Sequence, residues 1–134
     1  MTQALRIGIA GLGTVGAGVV KILAARGRHL AAVCGREIKL VAVTARDKTK
    51  DRGIDLAGVR WEDDPMALAS AGDIDLVIEL IGGSEGTART LVEAALKAGK
   101  HVATANKALL AHHGTALARL AEAAGVALNY EAAV

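Results

Sequence analysis

A doubly wound α/β sheet, mostly parallel, with about six strands and helices on both faces, is the fold class that three observations predict. Short apolar runs alternate with runs of helical spacing along the whole chain. The first such pair is joined by a glycine turn, Gly11-Leu-Gly13-Thr14-Val15-Gly16. The apolar content is almost entirely Ala, Val, Leu and Ile: 52% of residues are hydrophobic, yet there is one Trp, one Tyr and no Phe. Small branched side chains of this kind suit a parallel sheet buried between helices. The 134 residues make one domain, spanning 1–134, with enough apolar chain for a single core.

The elements follow in order. Arg6–Ala10 is short and apolar and reads as the first strand, and Val15, Val19, Ile22 and Leu23 give the next segment a helical face. Arg26-Gly27-Arg28 is expected to end that helix, leaving 29–38 as a connector of no assigned type. Lys39–Thr44 is the second strand, 51–58 a polar loop, and Val59–Trp61 a short third strand. A helix opens at Asp64-Pro65, with proline at its first position, and closes near Gly72. Leu76–Ile81 is a near-continuous apolar run, as a central parallel strand requires. Gly82-Gly83-Ser84 turns it into a helix over 85–98, which Gly99 stops. His101–Ala105 is the fifth strand, Lys107–Ala124 a helix stopped by Gly125, and Val126–Tyr130 the sixth strand. Cys34, the single cysteine, excludes an intrachain disulfide and is expected to be a small buried hydrophobe.

The glycine turn carries the chemistry. Between a strand and a helix, Gly11 permits the tight turn, Gly13 admits a pyrophosphate close to the backbone, and Gly16 lets helix and strand pack closely. The free N–H groups at Thr14 and Val15 and the positive end of the helix dipole then face the phosphates. This fingerprint makes the predicted fold Rossmann-type and the expected ligand a dinucleotide. The end of the second strand separates two cofactors, because an acidic residue there holds a ribose hydroxyl and an arginine holds a 2′-phosphate. Arg46 comes first at that position, with Lys48 and Lys50 behind it, which favours NADP. Asp47 beside it leaves NAD use open, and the same charge run also fits a solvated surface turn.

Basic and acidic residues, 16 against 14, are interspersed with a net charge of +2, so no long-range field argues for nucleic acid or a membrane surface. Five glycines and Lys21 interrupt the apolar stretch 7–25, and we read neither a signal peptide nor a membrane span. With the lone cysteine, this points to the cytoplasm. Glu79 inside an apolar strand must be hydrogen-bonded and is expected to be structural. His112 and His113 are adjacent, point to different faces and read as a solvated pair. Asn106 reads as a helix cap.

Ile78-Glu-Leu-Ile-Gly-Gly83 and His101-Val-Ala-Thr-Ala-Asn-Lys-Ala-Leu-Leu-Ala111, with the glycine turn and Tyr130-Glu-Ala-Ala-Val134, resemble the N-terminal half of homoserine dehydrogenase. The resemblance covers essentially the whole chain, and Thr-Ala-Asn-Lys-Ala-Leu-Leu-Ala is its most specific part. It implies a longer enzyme that reduces L-aspartate 4-semialdehyde to L-homoserine with a nicotinamide cofactor, in threonine and methionine biosynthesis. It also implies a full-length homodimer or homotetramer and a substrate domain absent from this chain. Lys107 resembles one of two lysines near the reacting carbonyl, where an ammonium stabilises developing negative charge, and it borders the cofactor as well. A lysine opening a helix opposes the dipole, which argues for a functional reason. Ile81, Gly82 and Gly83 follow the fourth strand, where the backbone can run close to ribose or nicotinamide. Glu131 and Val134 resemble the start of a sodium loop that is cut here, so its site is expected to be incomplete. Two alternatives stay open: another dehydrogenase on the same nucleotide fold, and a dinucleotide-sensing regulatory module.

Overall fold

The computed structural model describes residues 3–48, 50–83 and 85–130. Six strands, β1 (Leu5–Ala10), β2 (Ile38–Thr44), β3 (Arg60–Trp61), β4 (Leu76–Glu79), β5 (His101–Thr104) and β6 (Leu128–Tyr130), form one sheet in the order β3-β2-β1-β4-β5-β6. Every pairing is parallel. The chain first builds outward from β1 to β3, then returns to place β4 on the other side of β1. The crevice above β1 and β4 is therefore the switch point where such folds bind ligands.

Alternation along the strands sorts the core into two layers. Ile7, Ile9 and Val43 pack with Leu12 of the glycine turn and with Val20 of α1 (Thr14–Cys34). Ala10, Ala42, Val77 and Val102 pack instead under α2 (Met66–Ser70), α3 (Thr87–Lys97) and α4 (Lys107–Ala124). Both faces carry helices, as the sequence predicts, but one helix covers one face and three the other.

The boundaries differ in instructive ways. Helix α1 does not end at Arg26-Gly27-Arg28: Arg26 leaves helical geometry (φ −124°, ψ 20°), and the helix resumes to Cys34. Gly27 offers little resistance to such a kink, and good helix formers follow it. The true stop is Gly35, left-handed at φ 75°, whose N–H donates to Ala31 O at 2.9 Å. The connector 29–38 is thus mostly helix, and Cys34 is exposed rather than buried. Strand β4 stops at Glu79, two residues short of Ile81, because the Ile81 and Gly82 N–H groups turn back onto the Glu79 side chain. Proline 65 precedes α2 as its N-cap, α3 starts after Gly86, and β6 begins at Leu128 because Val126 N–H still serves the Ala121 carbonyl of α4.

The entry to β1 is held by a fork. Arg6 Nε and Nη2 donate to the two Asp75 carboxyl oxygens at 3.0 and 2.9 Å, and Arg6 N–H adds a third bond at 2.9 Å. The guanidinium holds the Asp75 carboxyl down to about 2. A carboxyl depressed in the folded state contributes stability above its unfolded value and loses it as pH falls through the folded one. Because both side chains are partly solvent-exposed, screening reduces the contribution to about 1 kcal/mol. Between pH 5 and pH 2 the parent is expected to lose about 1 kcal/mol more than Asp75→Asn in urea titrations. Parallel pH profiles would contradict the assignment.

Candidate dinucleotide site

The three glycines of the turn do three different jobs. Gly11 sits at φ +100°, donates its N–H to Thr44 O at 2.9 Å, and a Cβ there would stand 2.7 Å from Leu80 O. It belongs to glycine because the conformation and the neighbouring β4 loop both exclude a side chain. A Cβ on Gly16 would meet Gly11 O at 2.0 Å, so this glycine brings α1 against the turn. Among the described residues, nothing stands within 4 Å of the Cβ position of Gly13. The space before it is open, which is where a phosphate needs room.

Gly13 is also the N-cap of α1, with no side-chain capping bond, and the first turn holds no acidic residue. Thr14 and Val15 are exposed there, Val15 at 60%. The stretch of α1 before the kink at Arg26 thus presents uncapped N–H groups and its positive end at the carboxyl edge of the sheet. A pyrophosphate fits that chemistry, and Gly13 leaves it space.

A cleft of about 610 Å³ extends from this turn toward the end of β2. Gly11, Gly13, Arg46 and Ile81 line it together, so four of the residues singled out from sequence share one site. Lys50 and Arg52 line it as well, with Asp47 and Asp63, giving three basic against two acidic side chains. Arg46 and Lys50 are exposed. Gly16 lies buried beneath the turn and supports the cleft without lining it.

On the β4 side, one hydrogen-bonded chain fixes the rim. Glu79 is fully buried and accepts from Ile81 N–H at 2.7 Å, Gly82 N–H at 3.1 Å and Thr104 Oγ1 at 2.7 Å. Thr104 Oγ1 accepts in turn from Asn106 N–H at 3.0 Å. Asn106 donates from Nδ2 to Gly83 O at 2.6 Å, and its Oδ1 accepts from Leu109 N–H at 3.0 Å. The structural role read for Glu79 and the cap read for Asn106 both hold. Together they tie the β4 loop to the start of α4, and the glycines at φ +91° and +85°, Gly82 and Gly83, let the loop make the turn.

Lys107, first residue of α4, is exposed and lies at the carboxyl end of β5. It lines a separate groove of about 590 Å³ between α4 and β6, with Leu110, Gly114 and Tyr130, rather than the glycine-turn cleft. His112 is exposed, whereas His113 pairs with Glu85. Among the described residues no cluster of His, Cys, Asp or Glu could hold a metal ion, and no helix is long and apolar enough to cross a membrane. Glu131 and Val134 lie outside the described residues. Sequence reasoning missed Arg52 and Asp63 as cleft residues: both sit in charged stretches whose pattern matches any solvated loop.

A parallel sheet with this strand order, an open glycine turn at its switch point and a cationic loop beside it define a dinucleotide-binding domain. The family model for the homoserine dehydrogenase NAD-binding domain matches residues 11–131. The chain is 44% identical over 135 residues to homoserine dehydrogenase of Corynebacterium glutamicum, covering 98% of this chain and 29% of the relative. It is 39% identical over 130 residues to that of Neisseria gonorrhoeae, covering 97% of this chain and again 29% of the relative. A crystal structure of a homoserine dehydrogenase from Thiobacillus denitrificans superposes with a TM-score of 0.90 at 39% identity, over 98% of this chain and 30% of that one. The chain therefore belongs to the homoserine dehydrogenase family as its NAD-binding domain, and its cofactor is a nicotinamide dinucleotide. It spans about 29% of the length of the relatives it matches.

Proposed function

We propose that this domain holds NADP in preference to NAD for a cytoplasmic enzyme that interconverts L-aspartate 4-semialdehyde and L-homoserine, on the route to threonine and methionine. The observation that carries the cofactor reading is the placement of Arg46 and Lys50 in the same cleft as Gly11 and Gly13. An arginine fork is suited to a phosphate, and two cations flanking the approach favour the 2′-phosphorylated ligand. Asp47 and Asp63 in that cleft supply acceptors for a ribose hydroxyl and support use of NAD as a second cofactor.

A nicotinamide dinucleotide held in this cleft would supply the hydride-transfer chemistry. The protein's share is to bind and orient. The N–H groups at the start of α1 would hold the pyrophosphate, and the Glu79 chain of hydrogen bonds keeps Ile81 and Gly82 in place at the rim. Lys107 Nζ carries positive charge toward the substrate carbonyl oxygen and donates a proton to it, working with a second lysine from the remainder of the enzyme. The full-length enzyme assembles as a homodimer or homotetramer.

In the full-length enzyme, Lys107→Ala is expected to lower kcat by about 10²- to 10⁴-fold while the KM for the dinucleotide changes by less than about threefold. Steady-state kinetics in both directions reads this split. An unchanged kcat removes Lys107 from the chemistry and leaves the dinucleotide site standing.

A further inference from the structure

The loop that follows β2 is pinned to the glycine turn at both ends. At its start, Thr44 O accepts the Gly11 N–H at 2.9 Å. At its far end, Arg52 Nε donates to Leu12 O at 3.1 Å, and Leu12 is the residue between Gly11 and Gly13. Arg46, Lys48 and Lys50 all lie between these two pins. The loop is thus a bracket whose ends rest on two successive residues of the phosphate turn.

Arg52 is built for this place. It is half-buried, its Nη1 donates to Lys50 O at 3.1 Å, and its guanidinium carbon stands 5.6 Å from the centroid of the Trp61 ring in β3. One side chain therefore joins the cationic loop, the phosphate turn and the edge of the sheet. The fork satisfies two backbone carbonyls while its flat face covers the indole, which an ammonium group cannot reproduce. Arg46 and Lys50 are exposed and long, and ordering them at a ligand costs side-chain entropy. Fixing the backbone that carries them reduces the cost of binding an anion there.

We propose that Arg52 is a positioning residue for cofactor choice: by locking the β2 loop against Leu12 and Trp61, it sets the distance between the 2′-phosphate cations and the pyrophosphate turn. This rests on the NADP reading above. It goes beyond it by assigning discrimination to a residue that acts through the loop backbone.

The test measures dissociation constants for NADPH and for NADH by calorimetry on the parent chain, Arg52→Lys and Arg52→Ala, with thermal midpoints recorded alongside. Trp61 is the single tryptophan, so its fluorescence reports independently whether the stack is intact. Positioning predicts that Arg52→Lys, which keeps the charge, loses NADPH affinity by about tenfold while NADH affinity changes by less than about twofold, with Trp61 emission shifted before ligand is added. Retention of the full NADPH preference in Arg52→Lys overturns the proposal, because charge alone then suffices. An equal loss for both cofactors also overturns it, since Arg52 would then be scaffold only. If the parent itself binds NADPH no better than NADH, the NADP reading fails and this inference fails with it, whereas the first two outcomes leave that reading intact.

Discussion

Gly16→Ala is expected to destabilise the domain by more than about 3 kcal/mol and to abolish dinucleotide binding. The new Cβ would stand 2.0 Å from Gly11 O, a backbone atom of a turn that is itself pinned between β2 and the β4 loop. Neither side has freedom to retreat: moving α1 uncovers Val20 and Leu12 from the core against Ile7 and Ile9, and moving the turn breaks the Gly11 bond to Thr44. For a domain of this size the thermal midpoint should fall by roughly 10 °C or more. Gly13→Ala provides the contrast. Its Cβ meets none of the described residues within 4 Å, so the fold should survive within about 1 kcal/mol while dinucleotide affinity drops, because the methyl would fill the open space that a phosphate needs. Circular dichroism melts paired with calorimetry separate the two variants, and equal stability of Gly16→Ala and parent would refute the packing role.

Glu79→Ala should be nearly as damaging, at about 3–5 kcal/mol. The side chain is fully buried, and removing it strands the Ile81 and Gly82 N–H groups and the Thr104 hydroxyl without their acceptor. Glu79→Gln keeps one acceptor oxygen and most of the volume, so its cost should be smaller, at about 1–2 kcal/mol. The damage should be directional as well as global. Because Thr104 passes the network to Asn106, and Asn106 caps α4 and grips Gly83, the amides of Ile81, Gly82 and Leu109 should lose hydrogen-exchange protection first. Unchanged protection at those amides in Glu79→Gln would mean the β4 loop is held by something else.

What the sequence disclosed and what it concealed divide along one physical line. Periodicity and glycine placement are local signals, so the six strands, the glycine turn, the cap at Asn106 and the stop at Gly125 could all be read from neighbouring residues. The buried state of Glu79 was legible too, because a carboxyl group in an apolar run needs partners wherever they come from. The partners themselves were not: Thr104 lies 25 residues away, Leu12 lies 40 from Arg52, and Asp75 lies 69 from Arg6. Only the folded sheet brings them together. The same limit explains α1, where Arg26-Gly27-Arg28 has the composition of a stop but the helix only kinks at Arg26 and resumes. In the candidate site, the place of Arg46 in the cleft was legible because a position after β2 has chemical meaning in this fold. Arg52 was hidden because a cation in a charged loop looks alike whether it floats in water or bridges Leu12 and Trp61.

On the proposed reading, the cleft between the glycine turn and the β2 loop holds a dinucleotide and reads its 2′-phosphate. Titrating this chain separately with NADPH and NADH, by calorimetry at moderate fixed salt, tests it most directly. Saturable one-to-one binding of both is expected, with NADPH tighter by about tenfold or more. Tighter binding of NADH, or binding of neither by a chain whose melting shows it to be folded, would contradict it.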